Sequence, residues 1–292
     1  MPQHQSMNIL NTYIKGWGLA LSHLKLWSFL YIINILFALV VSFPIFRFLN
    51  AKLSHSMALD KMSHQFDFSV FDDIMNEYGD VVDFLTSQGI ITTFLYLLLS
   101  IFFIGGILNV FKHRDVPFRF AGFWTGGSKY YFRIFGLTLF FLILQGLIAI
   151  LFFSLLSWLT AGGLDRFHSE AEIYKRAMIV FPFYLFVAIV AWMIQDYAKV
   201  ILVDRDLSLF RAVGQGIRFV FKHFFSTFSL YLLNGLTFAF LFYLYWRTPT
   251  AHSILLALLI GQLFLLFRIG MKLVNLGTVT LWYDAKMIAG DA

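Results

Sequence analysis

Six stretches of this chain contain no Asp, Glu, Lys or Arg: residues 26–46, 84–111, 134–164, 177–195, 223–246 and 248–267. A run of about 20 apolar residues is long enough to cross the hydrocarbon core of a bilayer. Inside that core every backbone N–H and C=O must find a partner within the protein, so a span of this length is a helix. The predicted fold class is therefore an all-α polytopic membrane protein with six transmembrane helices. Only 13% of the residues are charged, against about a quarter in a soluble domain. The fourth span is expected to continue through Asp196 toward Val203, and the sixth through Arg268 and Lys272 toward Trp282.

Six spans put both termini on one side. Of the 22 Lys and Arg, thirteen fall on that side, seven on the other, and two (Arg268 and Lys272) lie within the sixth span. The seven are accompanied by ten of the sixteen acids. An excess of Lys and Arg marks the cytoplasmic face, so N- and C-termini are expected in the cytoplasm of a bacterial inner membrane. The N-terminal segment lacks a short apolar core with a small-residue cleavage site, and the first span is read as retained. The net charge of +6 fits basic loops facing anionic lipid better than nucleic acid. Absence of cysteine excludes disulfides, thiolate chemistry and Cys-ligated metals.

The chain also repeats itself. In "DRDLSLFRAVGQGIRFVFKH", Arg211, Gln215, Arg218 and Lys222 share one helical face, with Phe210, Val213, Ile217 and Phe221 opposite. This is the pattern of an interfacial amphipathic helix with its basic side toward headgroups. Arg119, Lys129 and Arg133 follow a similar period in the preceding connection, and Lys15 and Lys25 in the N-terminal segment. Superposing the three segments aligns Gly16, Gly127 and Gly216, and with them Asn34, Gln145 and Asn234. The ends of the even-numbered spans align Gly105, Asp196 and Asn275. Three units of interfacial helix plus transmembrane hairpin are expected within one membrane domain, at about 8–115, 116–206 and 207–286. In the outer loop, 50–88, a further helix is predicted, capped by Ser69 and ended by Gly89.

The candidate site is the set of polar groups inside the spans. Asn34, Gln145, Asp196, Asn234 and Asn275, with Arg268 and Lys272, form a predicted polar layer roughly 10–13 Å above the cytoplasmic interface at 1.5 Å per residue. A lone charge in hydrocarbon costs about 2.5–3.5 kcal/mol or more, so Asp196 is expected to pair with Lys272, or with Arg268. Arg119, Lys129, Arg133, Arg211, Arg218 and Lys222 are the expected contacts to anionic lipid. His55, His64, Asp67, Asp72 and Asp73 lack the tight His spacing of a metal site, and no metal or cofactor is expected. "HRD" at 113–115 and "GGSK" stand outside the contexts that give such motifs a catalytic or phosphate-binding role.

"GWGLALSHLKLW", "GGILNVF" and "DYAKVILVDRDLSLFRAVGQGIRFVFKHF" resemble segments of uncharacterised six-span bacterial membrane proteins. Those are related to the membrane domain fused to some glycerophosphodiester phosphodiesterases. The soluble catalytic domain of those enzymes is absent, so the resemblance implies the membrane fold and not the activity. The expected function is a non-enzymatic membrane component that scaffolds or assists other membrane proteins or lipids. A small transporter or lipid translocator using the polar layer is the alternative, and an intramembrane enzyme the third reading.

Overall fold

The computed structural model describes residues 8–53, 67–159, 170–248 and 254–290. Among these, eight helices follow one another: α1 Ile9–Ser22, α2 Leu24–Leu53, α3 Phe68–Lys112, α4 Phe120–Leu159, α5 Glu170–Arg205, α6 Leu209–Lys222, α7 Phe224–Arg247 and α8 Ile254–Ile288. Six of them, α2, α3, α4, α5, α7 and α8, are long and apolar enough to cross a membrane, which fits a multi-pass membrane protein. The chain divides into two compact units, one of residues 1–24 with 101–292 and one of residues 25–100.

The smaller unit is the α2/α3 hairpin. Tyr96 and Phe37 meet edge to face at 5.3 Å, and Phe48 meets Tyr78 at 5.6 Å. Gln88 Nε2 donates to Val40 O at 3.4 Å. These contacts run in opposite directions along the two helices, as a hairpin requires. The outer-loop helix exists but is not a separate element. Asp67, not Ser69, caps it, its carboxylate accepting from the N–H groups of Ser69 (2.9 Å) and Val70 (3.4 Å). Gly89 does not end it. The chain stays helical into the second span, with one bend at Tyr78 (φ −123°, ψ 24°). His55 and His64 lie outside the described residues.

In the larger unit the buried side chains gather at one end, called here the base. It comprises α1, α6 and the adjoining ends of α3, α4, α5, α7 and α8. Phe111, Phe123, Ile134, Met193, Tyr197, Leu202, Val220 and Tyr283 are all buried there. Small residues set the close approaches. A side chain on Gly16 of α1 would strike Thr278 of α8, one on Gly126 of α4 would strike Asn109 of α3, and one on Gly216 of α6 would meet Ala198 of α5. Away from the base, across 142–190 and 235–268, the buried described residues are Leu156, Val180 and Ala188.

A short separate helix precedes the span in two of the three places where one was expected. α1 and α6 are distinct, interrupted from α2 and α7 by single residues, His23 and His223. The segment 119–133 is not distinct. It runs straight into the third span as α4, a helix of 40 residues. In the register that aligns Gly16, Gly127 and Gly216, Ile134 stands where the others carry His. At the first break the cause is visible: His23 Nδ1 lies 2.9 Å from Leu19 O, and the His23 N–H goes to Ala20 O instead. The imidazole competes for the carbonyl that would have continued the ladder. Ile134 has nothing to compete with.

Candidate functional site

Asp196 sits on α5 nine residues before its end, in a position where a free carboxylate would be costly. It is saturated instead. Lys199 Nζ lies 2.9 Å from Oδ1, one turn along the same helix, with the two side chains 9% and 17% exposed. Tyr231 of α7 donates its hydroxyl to Oδ2 at 2.6 Å, and Asn275 of α8 donates Nδ2 to the same oxygen at 3.0 Å. One carboxylate therefore ties α5, α7 and α8 together.

The expected pairing of Asp196 with Lys272 or Arg268 is not formed. An i,i+3 partner needs no second helix to be held in register, and Lys199 takes the place. Lys272 and Arg268 instead stand exposed on α8, on the face that carries Asn275. Neither makes an ion pair or hydrogen bond with a described residue. Gln145 on α4 donates to Ala188 O of α5 at 3.3 Å. Asn234 is buried on α7, its amide donating to Leu230 O at 3.1 Å, and its Oδ1 has no partner. In the smaller unit Asn34 makes the same i−4 bond, to Leu30 O at 2.8 Å, and its Oδ1 accepts the Tyr96 hydroxyl at 2.8 Å. Of the expected layer, Asp196 and Asn275 are joined directly.

At the base, charged groups knit helix ends. Lys112 of α3 donates to Val203 O (3.1 Å) and Asp204 O (2.5 Å), satisfying carbonyls left open at the end of α5. Arg114 bonds Asp284 of α8. Asp206 ends α5 in the left-handed region, at φ 54°, a conformation that Asp tolerates better than most residues. Lys129 (3.0 Å) and Arg133 of α4 clamp its carboxylate. Their hydrogen bonds hold the Asp206 carboxyl below its usual value of 3.8. Two of the expected lipid-contacting cations are thus engaged within the protein. Arg119, Arg211, Arg218 and Lys222 are exposed.

Lys199, Tyr231, Arg205 and Asp206 are site residues that sequence reasoning did not single out. The Asp196–Lys199 spacing was readable as a one-turn pair. Tyr231 was not, because nothing in a Phe- and Tyr-rich span marks which aromatic faces inward. Among the described residues no three His, Asp or Glu side chains converge as metal ligands would.

Comparison with known proteins places the chain beside none of them: no family description matches it. No curated protein and no solved structure matches it either.

Proposed function

We propose that the protein is a non-enzymatic component of a bacterial inner membrane that scaffolds or assists other membrane proteins or lipids, with both termini in the cytoplasm. The observation that carries this reading is the contrast within the larger unit. Its base is knitted by close glycine contacts and paired charges, while the far halves of α4, α5, α7 and α8, which touch in pairs through aromatic rings, hold few buried residues. In α7 the exposed positions include 238–240 and 242–246 in succession, although Phe238, Phe242 and Tyr245 touch Phe264 of α8, so most of that segment's surface is uncovered. A helix apolar on all sides is covered by lipid or by other helices, and this arrangement offers a large surface for either. The basic base, with Arg211, Arg218 and Lys222 exposed, suits contact with anionic headgroups.

The base also supports a three-unit repeat. α1 packs on α8, the start of α4 on α3, and α6 on α5. Each initial segment thereby meets the second span of the preceding unit, with α8 closing the cycle onto α1. Gly16, Gly127 and Gly216 all lie at those contacts. That pattern suits an axis along the membrane normal.

Crosslinking and purification in mild detergent test the function: a membrane-protein partner retained in stoichiometric amount is expected. A solitary monomer that moves a solute or lipid by itself refutes it. Lipid translocation is the second reading, favoured by the exposed, unpaired Arg268 and Lys272. It predicts headgroup exchange between leaflets of reconstituted vesicles, lost in R268Q/K272Q.

A further inference from the structure

A cleft of about 170 Å³ opens at the base between α5, α6 and α8. Arg205, Gln215, Arg218, Lys222, Tyr283 and Met287 are among its lining residues. Arg205 is fixed in place: it donates to Gln215 Oε1 at 3.1 Å and to Met287 Sδ at 2.9 Å, and its guanidinium lies 5.9 Å from the Tyr283 ring centre. Arg218 and Lys222, one turn apart on α6, make no ion pair or hydrogen bond with a described residue. Nearby carboxylates are engaged elsewhere: Asp206 by Lys129 and Arg133, Asp284 by Arg114, and Asp196 by Lys199. Asp204 lines a separate cleft with Lys112 and Arg114. Tyr283 is 2% exposed and walls the cleft beside the Arg205 guanidinium.

Three cations that pair with no described carboxylate, and a side-chain amide, line one small volume. A single carboxylate cannot engage them all. A tetrahedral group with three or four acceptor oxygens and up to two negative charges can, and guanidinium groups match it well. We propose that this cleft binds a phosphate group, supplied either by a lipid headgroup at the membrane surface or by a soluble phosphate. For the lipid source, the inference rests on the reading of the base as an anionic-lipid surface.

The test uses the full-length protein in detergent, with native mass spectrometry of retained phosphatidic acid against phosphatidylcholine. Wild type is expected to retain phosphatidic acid about tenfold better or more, because one charge-assisted hydrogen bond is worth roughly that factor. R218Q/K222Q loses this preference, and R247Q, at the exposed end of α7 away from the base, keeps it within about twofold. K222Q alone, a change at an exposed position of the cleft, still weakens retention several-fold, which decides the matter where the double variant fails to fold. Displacement of bound phosphatidic acid by inorganic phosphate identifies the phosphate group itself as sufficient. Retention that resists inorganic phosphate but falls in the cleft variants assigns the lipid headgroup. Equal loss in R247Q and R218Q/K222Q overturns the cleft and leaves a diffuse anionic-lipid surface intact. No preference for phosphatidic acid in wild type overturns both.

Discussion

Asp196→Asn is the sharpest perturbation of the polar knot. The amide is the same size and can still accept from Tyr231 and Asn275, so those two bonds need not be lost. What disappears is the counter-charge of Lys199, whose side chain is 9% exposed. Leaving one partner of a buried ion pair uncompensated costs about 3–5 kcal/mol. Interhelical hydrogen bonds in membranes contribute only about 0.6 kcal/mol each, so nearly all of the loss comes from the stranded ammonium. Lys199→Met in the Asp196→Asn background removes that ammonium, and the pair of changes is expected to cost about 1 kcal/mol. The double variant is thus more stable than Asp196→Asn alone. The assay is reversible unfolding in mixed micelles of increasing denaturing detergent, followed by tryptophan fluorescence. If Asp196→Asn costs less than about 0.5 kcal/mol, or if Lys199→Met fails to restore stability in that background, Asp196 and Lys199 are not a structural pair.

Gly16→Ala is expected to destabilise by about 1–3 kcal/mol in the same assay, because its methyl would meet Thr278. Gly18→Ala, two residues away with open space around it, should be neutral or stabilising by up to about 1 kcal/mol. Tyr231→Phe should cost about 0.6 kcal/mol, the worth of one interhelical hydrogen bond. Asp206 has a lowered folded-state value, so its contribution is present above its unfolded value and lost as pH falls through the folded one. The melting-temperature difference between wild type and D206N should therefore be constant near neutrality and shrink progressively as pH falls below about 4. A difference that does not shrink on acidification would assign it to the Asp206 backbone conformation instead.

The six spans were legible because freedom from charge over some twenty residues has one physical outcome in a bilayer. Their ends were less so. The fourth charge-free run stops at Asp196, but α5 continues to Arg205, since Asp196 is neutralised by Lys199. The interfacial segment at 119–133 was predicted from its basic period, but that period does not say whether the helix breaks before the span. At His23 the backbone N–H turns to Ala20 O, whereas α4 runs unbroken through Ile134. Around Asp196 the slot-mate Asn275 was readable from the alignment of span ends, and it makes a contact. Lys272 was misassigned because a sequence gives the depth of a charge but not which rotamers reach a partner. Arg205 went unnoticed in "DRD" because its role depends on Gln215, Tyr283 and Met287, residues 10, 78 and 82 positions away.

Saturation of Asp196 separates two properties that the sequence alone would merge. A carboxylate that already accepts from Lys199, Tyr231 and Asn275 has little capacity left for a further cation. Lys272, one turn from Asn275, and Arg268 beyond it make no ion pair or hydrogen bond with a described residue, and cations left in that state within a span favour an added anionic partner. The knot holds helices; the α8 cations face outward to a ligand, a lipid phosphate or water. Each can then be removed without the other. Arg268→Gln with Lys272→Gln should change unfolding stability by less than about 0.5 kcal/mol, as exposed substitutions do, while altering the lipids that co-purify. Asp196→Asn should do the reverse. If the α8 variant destabilises as much as Asp196→Asn, the cations belong to the same electrostatic unit, and the separation is wrong.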